Sequence, residues 1–503
     1  MTGRGAFRFG DISRIELVLV ILLLLFTSAL FYPSLFSGFY MDDWAELERA
    51  RDFEWRSWLV SFSPFSGLWR PMFYLFWAAV FKVAATNPVP YHVVHLGLHA
   101  FSITAVWVLA RRLLGNPFAA MAAAFLFAIH KSNAFGIMWN SGATDTLAVT
   151  FAIPAFCSYL SYRDAARRKR WLLLLSCLLY YLALKSKLMA VTLPLLLISY
   201  ELCCTSCRFQ DKVLNILRLQ WLYWAISAVY LWAFLAQGLP REDAYKPVFS
   251  LGHFLVSANW YLSRILFDID PSKQTLLSVL LGAALLLAVG LRNRQMVFGW
   301  FWFLISLGPV APLAAHRFET HLYLPIIGVC IYAGALFSRL RASVRPAYSY
   351  FMLTAIGLAF LYVDLPSITL NSRFLLTIWD WSQGTLESLR KVLPPDPSGS
   401  HIYVYPRAEG GLFDSGSSVR LLYRVRRDGL RVTVGEDKET IDRILAEKNA
   451  PQSVSSTYSE HYDPKTERLI VLEYSRETKQ LSDVTSRYQA SLSLAPAAPL
   501  TEE

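Results

Sequence analysis

Residues 36–47 read FSGFYMDDWAEL and follow directly on the apolar run from Ile15 to Phe36. A helix of about 20 apolar residues crosses a bilayer, so this run reads as a membrane span that ends at two adjacent carboxylates, Asp42 and Asp43. Charged side chains at a membrane edge are costly to organise and usually mark function. The reading of the whole chain follows from this junction: a bundle of apolar helices that holds Asp42 and Asp43 on its first non-cytoplasmic loop.

Composition agrees. Of 503 residues, 55% are hydrophobic, 15% aromatic and only 17% charged, against about 25% charged in a soluble domain. The net charge of +11 comes from basic residues in the short loops between apolar runs. That is the positive-inside pattern, and it argues against a nucleic-acid partner, which needs a basic stripe with interleaved aromatics on a polar domain. Of the six cysteines, Cys157, Cys177 and Cys330 lie in apolar runs as small core residues. Cys203, Cys204 and Cys207 lack a second ligand pair for zinc and read as packing or lipidation positions. Arg4, Arg8 and Arg14 precede the first run, which has no convincing cleavage site and reads as a retained anchor.

Apolar runs alternating with basic loops give about eleven spans. They lie near 15–36, 91–114, 117–130, 142–162, 171–184, 188–203, 219–236, 275–290, 296–312, 322–338 and 347–365. The basic run RDAARRKR at 163–170 is the clearest inner marker. Residues 1–14 are then cytoplasmic, 15–366 form the bundle, and 39–89 form a tryptophan-rich first outer loop with helices lying in the interface. Residues 71–85 could instead form a further short span. A segment at 367–399 leads to a polar, non-cytoplasmic α/β domain at 400–490 and a disordered tail at 491–503. Strands are expected at HIYVY (401–405), VRLLYRV (419–425) and RLIVLEY (468–474), and a helix at KETIDRILAEKN (438–449).

Several polar positions interrupt the apolar pattern near the outer ends of the spans. Asp42 or Asp43 could serve as a general base or hold a divalent cation such as magnesium or manganese; the alternative is a helix N-cap. Arg70 could hold a phosphate or snorkel to headgroups. His92, His95 and His99 share one helical face and could bind zinc or bond neighbouring helices. His130, Asn140 and Asp145 lie in a polar break of the kind tolerated only where it is buried or lines a cavity. Lys185, Lys187, His316, Arg317, His321 and Tyr323 lie on the same side. Outward-facing cations run against the positive-inside bias and call for an anionic partner, for which a lipid phosphate leaving group is suited.

In order along the chain, FYMDDW, WRP, YHVVHLGLHA, FAIHKSNAFGIMWNSGATDTLA, LKSKLMAVTLP and RFETHLYLPIIG resemble the GT-C superfamily of membrane glycosyltransferases. The likeness is to the dolichyl-phosphate-mannose protein mannosyltransferases, and among them to the transmembrane O-mannosyltransferases that carry tetratricopeptide repeats. It covers residues 38 to 330. The resemblance implies an all-α, polytopic GT-C-like bundle with a lumenal or periplasmic site, a polyprenyl-phosphate sugar donor and inversion at the anomeric carbon. It implies Asp42 as catalytic aspartate with Asp43 its acidic neighbour, and Arg70, Lys187 and Arg317 near the donor phosphate. His92, His99, His130, Asn140, Asp145, His321 and Tyr323 are expected to line the cavity and the acceptor side. The sequence departs from the pattern at His130-Lys131, where the family has His-Pro, and at Ser186-Lys187-Leu188, where it has Ser-Lys-Glu. The repeats are missing, so the acceptor can be protein, lipid or glycan. A bacterial inner-membrane enzyme with a periplasmic site fits best, beside an endoplasmic-reticulum one. A transporter or flippase of lipid-linked sugars and a non-catalytic scaffold are the alternatives; the first should show inverted repeats or spans broken at mid-depth.

Overall fold

The computed structural model describes residues 12–66, 70–164, 169–236, 246–266, 269–313, 315–343, 346–414, 416–446 and 467–488. Trp69, most of the N-terminal segment, part of the basic run at 163–170 and the tail expected at 491–503 lie outside them. The helical part begins with α1 (Arg14–Phe31), α2 (Asp43–Arg51), α3 (Trp55–Val60) and α4 (Pro71–Ala84). It continues through α5 (Val89–Leu114), α6 (Pro117–Ile129), α7 (Lys131–Met138), α8 (Ala143–Asp164), α9 (Arg170–Leu184), α10 (Leu193–Cys204) and α11 (Phe209–Ala236). Then come α12 (Leu251–Ile265), α13 (Gln274–Gly290), α14 (Arg294–Ser306), α15 (Ile326–Ser343) and α16 (Pro346–Val392). The C-terminal elements are β1 (Ser400–Tyr405), α17 (Ser417–Tyr423), β2 (Leu430–Val434), α18 (Lys438–Ala446), β3 (Arg468–Ser475) and β4 (Gln480–Asp483).

Five helical segments among the described residues are long and apolar enough to cross a membrane: Arg14–Phe36, Val89–Leu114, Asn140–Asp164, Phe209–Ala236 and Ile326–Ser343. A sixth arises if α6 and α7, bent by 52° at His130, count as one. Ile15, Leu22 and Leu25 on α1 and Val279, Leu286 and Val289 on α13 are exposed. Rows of large apolar side chains facing outward are costly in water and ordinary against lipid. The chain is an integral membrane protein.

Two compact units divide the chain. The first takes Met1–Leu35, Glu54–Phe76 and Val89–Ser372; the second takes Phe36–Phe53, Trp77–Pro88 and Arg373–Glu503. In the first, helices approach closely where glycines remove side chains. A Cβ on Gly299 of α14 would stand 2.5 Å from the Gly328 carbonyl oxygen of α15, and one on Gly334 would stand 2.7 Å from that of Ala119 on α6. Small residues at helix contacts are how membrane helices gain packing without a hydrophobic drive. Helix α12 has no counterpart among the expected spans. Ser250 caps it, accepting from His253 N at 3.0 Å; its C-terminal half is buried, with Ala258, Tyr261, Leu262 and Ile265 among the buried residues, while Leu251, Leu255 and Val256 are exposed. A helix of 15 residues interrupted by Ser257, Asn259, Ser263 and Arg264 carries too little apolar sequence to register as a span. The last expected span and the segment after it form one helix, α16, which continues to Val392 through Pro366.

In the second unit the strands lie in the order β2-β1-β3-β4. Strand β1 is parallel to both neighbours, and β4 is antiparallel to β3. All six residues of β1 are buried, as expected for a central parallel strand. Tyr403, Tyr405, Ile441, Leu445, Leu469 and Val471 pack on one side of the sheet. The run VRLLYRV is a correction: it forms helix α17, bracketed by Gly416 and Arg424, both left-handed. The helix puts Ser417 and Arg420 one turn apart, where both reach Glu48 of α2. Strand pairing would point neighbouring side chains to opposite faces.

Gly328→Val should lower the stability of the helical unit by about 1–3 kcal/mol, as overpacking does at a closed contact. Thermal unfolding in detergent measures it; an unchanged midpoint would mean that the α14–α15 contact is not tight.

Candidate active site

The polar residues of the first unit come from several helices and the turns between them. On α5, His95 Nε2 meets Thr146 Oγ1 of α8 at 2.9 Å, His92 Nε2 meets Asn140 Nδ2 at 3.1 Å, and His99 Nδ1 meets Tyr323 OH at 2.6 Å. The three imidazoles therefore bond neighbouring elements, the second of the two readings of their shared face. No group of three or more His, Cys, Asp or Glu among the described residues is placed to hold a metal ion. His130 joins α6 to α7: its ring accepts from Ser132 N at 3.2 Å, so it caps α7. Its Nε2 lies 3.3 Å from the Ile265 carbonyl of α12.

Lys187 Nζ donates to Asp145 Oδ2, an ion pair between the turn after α9 and the first turn of α8. Arg317 donates through Nε to Ser257 Oγ on α12 at 3.2 Å, and Tyr261 of α12 lies 3.1 Å from His321 Nδ1. Both Arg317 and Asp145 act electrostatically on Tyr261. Arg70, which makes no side-chain hydrogen bond among the described residues, acts on Asp145 and Lys187. In the turn before α15, burial holds the His316 and His321 imidazoles below their ordinary range. Lys187 and Arg70 push both further down. Both rings are therefore neutral near pH 7. The group thus carries three cations, Arg70, Lys187 and Arg317, and Asp145 is the one carboxylate bonded to any of them among the described residues. Arg70, Lys187 and Arg317 are half-buried, and a partly desolvated excess of positive charge suits an anionic ligand. Nearby, Asn140 Oδ1 and His95 Nδ1 are buried without a hydrogen bond among the described residues, and such atoms suit a polar ligand or water. Lys185 is held apart from this group, donating to the Ser61 and Ser63 carbonyls at 3.0 and 2.7 Å.

Asp42 and Asp43 belong to the second unit, and they differ sharply. Asp43 is fully buried and accepts from Tyr40 N at 3.1 Å. Asp42 is exposed and stands at the N-cap of α2 without making a capping hydrogen bond. Burial raises the Tyr40 phenol above its ordinary range; Arg407 opposes this, and the carboxylates of Asp414 and Asp42 add to it. Ser257 and Tyr261 were not marked by the sequence, because α12 was not; the Ser250 cap and the spacing of 258, 261, 262 and 265 carried the signal. Arg407 and Asp414 lay in a segment read only as a polar domain.

No family model matches the chain. A stretch of 131 residues is 32% identical to the protein O-mannosyl-transferase Tmtc1 of Drosophila melanogaster, covering 26% of this chain and 15% of that protein. Similar solved structures include ArnT from Cupriavidus metallidurans bound to undecaprenyl phosphate, at 12% identity and TM-score 0.49, with 98% of this chain and 97% of that one covered. The same protein in the apo state is similar at 13% identity and TM-score 0.49, over 95% of each chain.

Lys187→Met should cost about 3–5 kcal/mol by leaving a buried carboxylate unpaired, and adding Asp145→Asn should recover most of that loss. Chemical unfolding in detergent of the two single variants and the double variant tests the coupling; additive losses would show that the pair is not one unit.

Proposed function

We propose that the protein is an inverting glycosyltransferase that moves a sugar from a polyprenyl phosphate to a hydroxyl on a non-cytoplasmic acceptor, a protein, lipid or glycan. The observation that carries this reading is the surplus of half-buried cations around Lys187 and Asp145 in a membrane protein. Such a surplus suits a lipid-borne phosphate whose charge grows as the sugar leaves. The local match to an O-mannosyl-transferase supports the same reaction class. In this reading about eleven spans form the bundle, the shorter apolar helices completing the five long ones. The C-terminal sheet lies on the non-cytoplasmic side as a small α/β domain, in a bacterial inner membrane with the site facing the periplasm.

Asp42 acts as the general base. It takes the acceptor hydroxyl proton as that oxygen attacks the anomeric carbon from the face opposite the phosphate. The bond from carbon to phosphate oxygen breaks, and its electron pair leaves with the phosphate, giving free polyprenyl phosphate and an inverted glycoside. Lys187, Arg317 and Arg70 stabilise the charge that develops on the leaving phosphate. His92, His99, His130, Asn140, His321 and Tyr323 shape the surrounding cavity, most of them through the hydrogen bonds above. Asp43, buried and bonded to the Tyr40 backbone, keeps the Asp42 turn in place; a magnesium or manganese ion on the two carboxylates would lend further charge to the same step.

Purified protein in lipid, given a panel of polyprenyl-phosphate sugars and membrane extract, should release free polyprenyl phosphate. Asp42→Asn should lower release about 100- to 10,000-fold, the usual worth of a general base. Near-parental release by this variant would remove Asp42 from the chemistry. EDTA followed by magnesium or manganese completes the test: loss and recovery of release assign a cation to the carboxylates, and EDTA-resistant release leaves them as base and support alone.

A further inference from the structure

The second unit holds a buried ion-pair cluster that the proposed reaction does not use. Glu48, five residues after Asp43 on α2, is 7% exposed, and Arg420 of α17 is 5% exposed. Arg420 donates to Glu48 Oε1 through Nε at 2.5 Å and to Oε2 through Nη2 at 2.8 Å. Ser417 Oγ donates to Oε2 at 2.6 Å. Arg51, on the next turn of α2, donates to the carbonyls of Arg420 and Val425 at 3.3 and 3.1 Å. These bonds fix the C-terminal half of α2 to α17.

A second hold lies on the other side of Asp42. Met41 has φ of 47°, a left-handed conformation that a non-glycine residue keeps only where its surroundings impose it. Its N–H donates to the Gly410 carbonyl at 3.0 Å. Gly410 itself has φ of 68°, and a Cβ there would meet Ile378 Cγ2 at 2.5 Å. The neighbouring Glu409 is tied to the sheet by Lys479 at 2.6 Å and by the Tyr474 hydroxyl. Asp42 therefore sits between two attachments to the C-terminal segment, one immediately before it and one a turn and a half after it.

We propose that the C-terminal sheet segment is a clamp that sets the position of Asp42, with Glu48 and Arg420 as its positioning residues. The inference rests on Asp42 being the base. The pair is suited to fixing geometry more than to adding stability. A buried ion pair gains little over an apolar contact of the same volume, but a guanidinium on a carboxylate in a bidentate bond fixes both distance and rotation. A base displaced by about 1 Å loses on the order of 100-fold in rate.

The test uses the full-length protein in lipid, with release of polyprenyl phosphate as readout and Asp42→Asn beside each variant. Arg420→Gln should lower kcat about 100-fold with the donor KM little changed, and the exchanged pair Glu48→Arg with Arg420→Glu should regain part of it. Ser417→Ala, which keeps the ion pair and removes one bond to Glu48, should lower kcat several-fold per folded molecule. Parental kcat per folded molecule in Ser417→Ala and in Arg420→Gln would overturn the clamp, as would a loss confined to the donor KM. If Arg420→Gln does not fold, Ser417→Ala decides alone. Failure of the underlying reading looks different: Asp42→Asn would then turn over like the parent.

Discussion

A charged amine inside a membrane protein needs a compensating partner, and the Lys187–Asp145 ion pair supplies one at the centre of the first unit's polar residues. Without Asp145, desolvation would neutralise Lys187 or drive it toward solvent. With it, the ammonium stays where Arg70, His316 and His321 are close enough to feel its charge. One carboxylate serves one cation, so Arg70 and Arg317 bring positive charge that no carboxylate bonded among the described residues matches. The two histidines respond by staying neutral, which leaves them as hydrogen-bonding walls and not as further cations. An anion bound there would offset that surplus, and this makes the pair the keystone of the functional reading.

The second unit solves a different problem. Its sheet has a central strand, β1, buried along its whole length, with parallel partners on both sides, and such a strand is a rigid reference for whatever is attached to it. The stretch around Asp42 is attached by aromatic packing as well as by the ion pair. Trp44 stacks near Trp379 with ring centroids 6.2 Å apart, and Phe39 meets the same ring edge-on at 5.9 Å. Gly38 passes so close to Trp379 that a side chain there would have no room. A connecting segment of this length would ordinarily be the mobile part of a protein. Here the residues on both sides of the carboxylates are tied to a folded sheet segment.

Membrane character, the position of most long helices and the polar breaks were legible because each rests on a local pattern: apolar length, basic loops, or a charge where none is expected. The convergence of Asp145 with Lys187 was legible only in part. Both were marked, but their pairing depends on how α8 and α9 pack. Helix α12 stayed hidden because it is short and its apolar sequence is interrupted by Ser257, Asn259, Ser263 and Arg264. The VRLLYRV run misled for a related reason. Its valines, leucines and tyrosine favour a strand by propensity, and what makes it a helix is the demand that Ser417 and Arg420 face the same carboxylate. That demand comes from Glu48, more than 360 residues away in sequence, and no local reading could contain it.

The bend at His130 bears on the choice between enzyme and transporter. Transporters bind substrate at helix breaks, where unwound backbone groups are left to coordinate it. The break between α6 and α7 leaves few such groups. His130 accepts from Ser132 N, Asn133 Nδ2 donates back to the Phe127 carbonyl at 2.7 Å, and Lys131 N donates to Asp364 Oδ2 at 3.2 Å. Asn133 and Ser132 are fully buried, so the break is packed and internally bonded, with the character of a fixed corner. A corner of this kind suits a wall that must keep its shape while a reaction proceeds beside it. It does not suit a hinge that must open to both sides of the membrane, and it weighs for a glycosyltransferase over a carrier of lipid-linked sugars.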